Sequence, residues 1–365
     1  MRKGVGIDRR AFLSGVGGVA AGVATASLTA CQSRAERNAT GTRSTEVLIV
    51  RDIGGAYGEA NRKALYDPFT KETGIRIEVV NMLHEQMLAE VKRGRPPCDV
   101  TDTNMSLLAL FQQKGVTEEL DYERLRNAAN TGISESLLTS HGVGKAYWAS
   151  VLAYRADAFG GRKPESWADF WDVGAFPGRR ALQSSLDWPE LEFGLLADGV
   201  PVDRLYPLDV DRAFKALDEI RGFVQAFWEN GAAPAELLNR NEVVASSAWL
   251  GRLRPPTGHG SPLAYTWSGA RRQSNGYGIL KGAANTDAAY RFIDFALRPD
   301  VQAHLARIHP NGPVVPAAYA YLSETTAAHL PSTPGHLRSG FDLDVAWWLE
   351  NRDAVTKRWQ AWARA

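Results

Sequence analysis

Past residue 45 the chain settles into short apolar runs separated by longer stretches of helical spacing. Val47-Leu48-Ile49-Val50 is a continuous apolar run suited to a strand covered on both faces. Gly54-Gly55-Ala56-Tyr57-Gly58 then makes a turn, and Ala60, Ala64 and Leu65 share one side of the helix it opens. Thr73-Gly74 closes that helix, and Ile75, Ile77 and Val79 alternate as a second strand. Leu83, Met87, Leu88 and Val91 recur at helical spacing until Gly94 and Pro96-Pro97 interrupt them. A strand near Val100 leads into a helix bearing Leu107, Leu108 and Phe111. The order βαβαβ predicts an α/β fold whose first part holds a mostly parallel sheet with helices on both faces.

The second half has a different texture, since every tryptophan lies at or after Trp148. Pro164 to Asp172 predicts a short helix capped near Ser166. Val210 to Trp228 predicts a longer one with Ala213, Phe214, Leu217, Ile220 and Val224 on its apolar side. Val243-Val244-Ala245 is strand-like and precedes Trp249. Thr286 begins a helix using Ala289, Phe292, Ile293, Ala296 and Leu297; Arg298-Pro299 ends it and Asp300 starts another. Trp347, Trp348, Trp359 and Trp362 predict a packed helix at the end of the chain.

The first thirty residues read as an export address. Arg9-Arg10 precedes Phe12-Leu13 and a weakly apolar Gly/Ala stretch, the layout of a signal peptide, and the arginine pair resembles a twin-arginine signal. Gly15, Gly17, Gly18 and Gly22 make the stretch a poor transmembrane helix. Leu28-Thr29-Ala30-Cys31 resembles the site where a signal peptide is cut before a cysteine that is then acylated, and residues 32 to 44 form a polar tether. Acylation at Cys31 implies a soluble domain held on the outer face of the cytoplasmic membrane.

Composition narrows the function classes. The 365 residues, 44% hydrophobic and 23% charged, fit two packed domains of an ordinary globular protein. With a formal net charge of +1 and no Lys/Arg run, there is no basic field for nucleic acid. Cys31 and Cys98 are the two cysteines, too few for a disulfide framework or a cysteine zinc site, and Cys98 is expected to be a small buried residue. The seven histidines form no His-x3-His pair, and the mature chain has neither a Gly-x-Ser-x-Gly elbow nor a Walker loop. No cofactor or metal is expected, and His84 and His141 are expected at the surface or internally satisfied.

Two features could hold a small molecule. The Gly54–Gly58 turn fits equally a ligand-binding turn and a plain tight turn. Asp187-Trp188-Pro189-Glu190 sets two acids three positions apart around an indole, an arrangement that can receive an ammonium group. Acids at the start of a helix are also favoured by its dipole, and on the residues alone that ordinary reading stands.

Longer motifs carry a resemblance. Gly54 to Ala60 with Asp67-Pro68-Phe69-Thr70-Lys71-Glu72-Thr73-Gly74-Ile75, Trp148 to Tyr154, Ser166 to Asp172 with Phe176-Pro177-Gly178-Arg179-Arg180, Tyr206-Pro207-Leu208-Asp209, Leu280 to Asn285 and Phe292-Ile293-Asp294-Phe295 occur in one order. Together they resemble the substrate-binding lipoproteins of ABC importers, the spermidine/putrescine group with the periplasmic-binding-protein type II fold. The resemblance implies two lobes with mixed, mostly parallel sheets joined by crossing hinge strands: residues 46–150 plus 276–312 form lobe 1, and 151–275 plus 313–365 form lobe 2. Residues 1–30 are then the signal peptide and 31–45 the lipidated cysteine and tether.

The resemblance further implies a monomeric, non-enzymatic receptor that captures a polyamine or related amine-bearing solute between the lobes and delivers it to the transmembrane subunits of an ABC permease. It assigns Asp187 and Glu190 as the acids that receive the amine, Trp249 as the tryptophan after the second-lobe strand, and first-lobe contacts to Gly55, Ala56, Tyr57, Thr103 and Asn104. Trp148 and Tyr154 flank the hinge and either pack or contact the solute. Polyamine binders usually carry Trp-x-Asp at the second crossing, where this chain reads Gln273-Ser274-Asn275. Neutral Asn275 cannot offset a buried ammonium, so the solute is expected to carry fewer positive charges than spermidine: a monocation, a short diamine or a zwitterion. Arg271 and Arg272 allow an anionic group, although surface placement is expected for them. A surface-anchored hydrolase and an adhesion lipoprotein are the readings from other classes.

Overall fold

The computed structural model describes residues 46–129, 131–184, 189–253 and 262–364. The export signal, the tether with Cys31, and Asp187 lie outside the described residues.

Among the described residues eleven strands make one sheet: β1 Val47–Arg51, β2 Arg76–Val80, β3 Val100–Asn104, β4 Leu138–Thr139, β5 Gly142–Arg155, β6 Arg180–Gln183, β7 Val224–Trp228, β8 Ala245–Trp249, β9 Leu263–Ile279, β10 Gly312–Pro313 and β11 Phe341–Asp342. The main path runs β2-β1-β3-β9-β5-β8-β6-β7. β2, β1 and β3 are parallel, as are β8, β6 and β7, and between these wings β9 and β5 pair antiparallel along most of their length. The parallel wings arise from βα units; the antiparallel centre is the same two long strands serving both wings.

Local chemistry accounts for the elements. Leu48 and Val50 are fully buried in β1, and Gly74, at φ 76°, ends the helix Asp67–Thr73 in the left-handed conformation that a Cβ disfavours. Ser166 and Asp169 form a reciprocal capping box at the helix Trp167–Trp171. The C-terminal helix Val345–Arg364 buries Trp348 and Trp359. Gly276 lets β9 approach its neighbours, because a Cβ there would stand 2.6 Å from the Val143 carbonyl oxygen and 2.4 Å from Met105 Sδ. Cys98 is buried and free, and burial pushes its thiol up to about 12.

One expected element is corrected. The helix beginning at Val210 ends at Ile220, and Val224–Trp228 is a strand paired in parallel with β6. Val224 fits the helical spacing, but Val224, Phe227 and Trp228 are also good strand formers, and β6 offers them an open edge.

The interior divides by wing. Leu48, Phe69, Phe111, Tyr277, Phe292 and Ile293 belong to one apolar cluster around β1–β3. Phe170, Phe193, Phe214, Trp348 and Trp359 belong to another at the β6–β7 end, and Val151, Trp228, Ala248 and Leu250 form a third along β5 and β8.

Candidate functional site

β9 and its neighbours present a row of polar side chains between the two wings. Ser150 of β5 lies opposite both Trp249 of β8 and Arg271 of β9, and Trp148 lies opposite Gln273. Directly opposed residues share a face of a sheet, as do residues two apart in one strand. Trp148, Ser150, Trp249, Arg271, Gln273 and Asn275 therefore point to the same side. On this face Trp148 Nε1, Ser150 Oγ, Trp249 Nε1, Arg271 Nε and Gln273 Oε1 are all buried without a hydrogen-bond partner among the described residues. Buried polar groups of this kind are ordinarily answered by ordered water or by a bound molecule, and this face gathers several of them.

At the β1–β3 end the row meets a closed polar cluster. Lys145 bulges from β5, fully buried, and its Nζ lies 2.6 Å from Asp102 Oδ2, 2.7 Å from Asn61 Oδ1 and 2.9 Å from the Tyr57 hydroxyl. Burial raises the Asp102 carboxyl and lowers Lys145, against the opposing pull of each charge on the other. The Tyr57 hydroxyl donates to Asp102 at 3.0 Å and accepts from Lys145 and from Asn275 Nδ2, the latter at 2.8 Å. A phenol has one donor and two acceptor positions, so Tyr57 has no hydrogen bond left to offer.

At the other end sits Glu190. It precedes the helix Leu191–Ala197, yet its side chain does not cap that helix. Its Oε2 accepts from Ser247 Oγ at 2.6 Å and from the Gln183 backbone N–H at 2.8 Å, while Oε1 has no partner among the described residues and the residue is fully buried. Burial raises its carboxyl above the ordinary range; Arg271 and the two hydrogen bonds work the other way. Gln183 Oε1 is a further buried acceptor without a partner among the described residues. Trp228 Nε1 donates to Ser247 at 3.2 Å, and Trp249 packs edge to face against both Trp228 and Trp148 at 5.6 and 5.8 Å. Ser247 thus links the acid to the Trp228 indole.

The expectation of surface arginines is corrected, because the crossing strand runs through the middle of the sheet. Arg271 is buried with Nη1 3.2 Å from Glu192, whose other oxygen accepts from Tyr206 and Trp348. Arg272, on the opposite face, is buried against Asp342 at 2.9 Å.

Of the other candidate residues, Gly55 and Ala56 are exposed at the start of the helix Gly55–Asn61. Thr103 Oγ1 lies 3.2 Å from His84 Nε2, and Asn104 accepts the Leu107 N–H as a helix cap while its backbone faces Asn275 across the strand pair. Glu190, Trp249 and Asn275 are thus gathered along the row, and the side chains of Thr103 and Asn104 have local partners. Lys145, Asp102, Gln183 and Ser247 were not anticipated there, and Arg271 was named as allowing an anionic group but expected at the surface. Of the unanticipated four, Lys145 left a trace, as a charge in the middle of an otherwise apolar and small-residue strand. Among the described residues no cluster of His, Cys, Asp and Glu is arranged to hold a metal, and no helix is long and apolar enough to cross a membrane.

Comparison with known proteins agrees with this picture. A family model described as bacterial extracellular solute-binding protein matches residues 64–332. The chain is 33% identical over 328 residues to a gamma-aminobutyric acid-binding protein of Pseudomonas aeruginosa, covering 87% of this chain and 91% of that protein. It is 25% identical over 254 residues to a spermidine/putrescine-binding periplasmic protein of Salmonella typhimurium, covering 66% and 71%. The crystal structure of an ABC transporter substrate-binding protein from Bradyrhizobium japonicum superposes with a TM-score of 0.82 at 37% identity, covering 87% of this chain and 99% of that one.

Proposed function

The chain belongs to the bacterial extracellular solute-binding protein family, whose members serve ABC importers as receptors rather than enzymes, and we propose that its solute is a small molecule bearing one ammonium group. The observation that carries this is Glu190, a buried carboxylate with one oxygen tied to Ser247 and Gln183 and the other without a partner among the described residues. An ammonium set there gains a charge-assisted hydrogen bond.

Charge matching supports a single ammonium. Asp102 is spoken for by Lys145 and Glu192 by Arg271, and Asn275 is neutral, so Glu190 is the acid of the described row with no cation within ion-pair distance. Asp187 is assigned to the same role through the family. The two relatives' names bracket the class, gamma-aminobutyric acid in one and polyamines in the other. The row lies between the two wings, so a solute held there touches both lobes and favours their closure, the state the permease would read.

Thermal-shift screening of monoamines, diamines and amino acids against the full chain tests the reading. The best hit raises the melting temperature with concentration, and Glu190→Gln removes that rise. An unchanged rise in the variant overturns it.

We further propose that the receptor is exported as a monomeric lipoprotein anchored through Cys31, as the N-terminal motif supports. Cys31→Ala moves the protein from the membrane fraction to the soluble exported fraction; membrane retention of the variant refutes the anchor.

A further inference from the structure

Resting on the closure of the lobes over the polar row proposed above, we infer that a cavity behind the two long strands sets how readily they close: side-chain bulk added there favours the closed clamp and tightens solute binding from the face the solute does not touch.

The long strands show where the wings can pivot. β3 pairs with β9 as far as Asn275, and β8 pairs with β5 from Ser150 onward. Between these limits, at Trp148 and Gln273, the two long strands pair only with each other. Register shifts flank this waist, between Gly144 and Ala146 and between Ser150 and Leu152. Bulges bend a strand, and a two-stranded ribbon twists more than a wide sheet. On one side of the waist the Tyr57 hydroxyl accepts from Lys145 at 2.9 Å and from Asn275 at 2.8 Å, one residue from each strand. On the other side Trp167 Nε1 donates to the Gly269 carbonyl oxygen at 2.9 Å. The wings are thus fixed to the strands on either side of the waist.

Tyr147 and Ser274 lie opposite each other, on the face away from Trp148 and Gln273. They floor a cavity of about 540 Å³, with Ala109 and Leu137 on one wall and Ala346 and Leu349 on the other. Ala109 belongs to the helix Met105–Gln113, whose Leu108 and Phe111 pack in the core around β1–β3. Ala346 and Leu349 belong to the helix Val345–Arg364, whose Trp348 and Trp359 pack in the core at the β6–β7 end. The cavity therefore has one wall from each wing and the waist as its floor.

A pivot at the waist moves its two faces in opposite senses. Wings that part over the polar row come together over the cavity, so an open clamp leaves less room between these walls. A larger side chain on either wall then raises the cost of the open state more than that of the closed one. Apparent affinity scales with the fraction of molecules in the binding-competent state, so a clamp that is closed more often binds more tightly in proportion. Ala109 is half-buried and Ala346 exposed, so bulk at either position projects into the cavity and leaves the two cores intact.

Ala346→Trp and Ala109→Leu fill the cavity from opposite walls, and Ala361→Trp adds bulk at an exposed position near the far end of the C-terminal helix. Titration calorimetry on the full chain with 4-aminobutyrate, putrescine and butylamine is expected to show the best-bound probe tightened about threefold or more by each cavity variant and unchanged by Ala361→Trp. Small-angle X-ray scattering without solute is expected to give both cavity variants a smaller radius of gyration than the wild type. Circular dichroism checks folding, and if one cavity variant fails to fold, the other, built from the opposite wall, decides. Unchanged or weaker binding in a folded cavity variant, an unchanged radius, or equal tightening by Ala361→Trp overturns the inference and leaves the amine reading intact. If none of the probes binds, the amine reading falls and the solute-free scattering alone decides: a smaller radius supports the inference and an unchanged one overturns it.

Discussion

Ser247 donates its hydroxyl to Glu190 Oε2 at 2.6 Å, joining the last strand of one parallel wing to an acid that stands at a helix start without capping it. The same hydroxyl accepts from Trp228 Nε1, so one serine orients both the carboxylate and an aromatic wall. Ser247→Ala removes a hydrogen bond to a charged acceptor, a loss of about 1.5–3 kcal/mol. Calorimetry at neutral pH is expected to show roughly tenfold weaker amine binding, with the same stoichiometry.

The pH dependence follows from the raised carboxyl of Glu190, whose ordinary value is 4.5. Between that value and the raised one the folded protein binds a proton that the unfolded chain has released. The stability Glu190 contributes is therefore complete below 4.5 and is lost as pH rises through the raised value. Amine binding runs the other way, since the carboxylate must be ionised: affinity falls as pH falls through the same window. Melting curves and titrations across that window are expected to show these opposite slopes in the wild type, and Glu190→Gln is expected to flatten both.

Lys145 and Asp102 form a fully buried pair, and removing one partner strands the other's charge. Lys145→Met is expected to cost about 3–5 kcal/mol of unfolding free energy in urea titrations. The double variant Lys145→Met, Asp102→Leu is expected to recover part of that loss, because no lone charge remains. Equal losses in the single and double variants would contradict the pairing argument.

Gly251 follows β8, and a Cβ placed on it would stand 2.9 Å from His309 Cε1. His309 cannot move aside freely, since Nδ1 bonds Asn311 at 3.0 Å and the ring packs edge to face on Tyr57 at 5.8 Å. Gly251→Ala is expected to destabilise the protein by about 1–3 kcal/mol. Adding His309→Ala opens the space, so thermal denaturation of the double variant is expected to show a smaller loss than the two single effects combined.

Much of the β1–β3 wing was legible from residues alone. The apolar run at Val47–Val50, the Gly74 stop and the spacing of Leu107, Leu108 and Phe111 are local signals, and local backbone preference decides them. The helix cap near Ser166 was legible for the same reason. Ordered motifs along the chain also carried the family and, with it, the reading of a receptor.

Pairing between distant segments decided the rest. Val224–Trp228 becomes a strand only because β6 lies beside it, and Arg271 is buried only because β9 threads the centre of the sheet. Nothing near Tyr57 in sequence shows that Lys145, Asp102 and Asn275 use up its hydroxyl. Nor does any local pattern show that Trp148, Ser150, Trp249, Arg271 and Gln273 share one face, since strand register is settled by which residues meet across the sheet. The chain's own letters determine which groups it owns and where helices and strands can begin; which donors and acceptors are left unpaired is a property of the assembled sheet, because a hydrogen bond exists only where folding brings its two ends together.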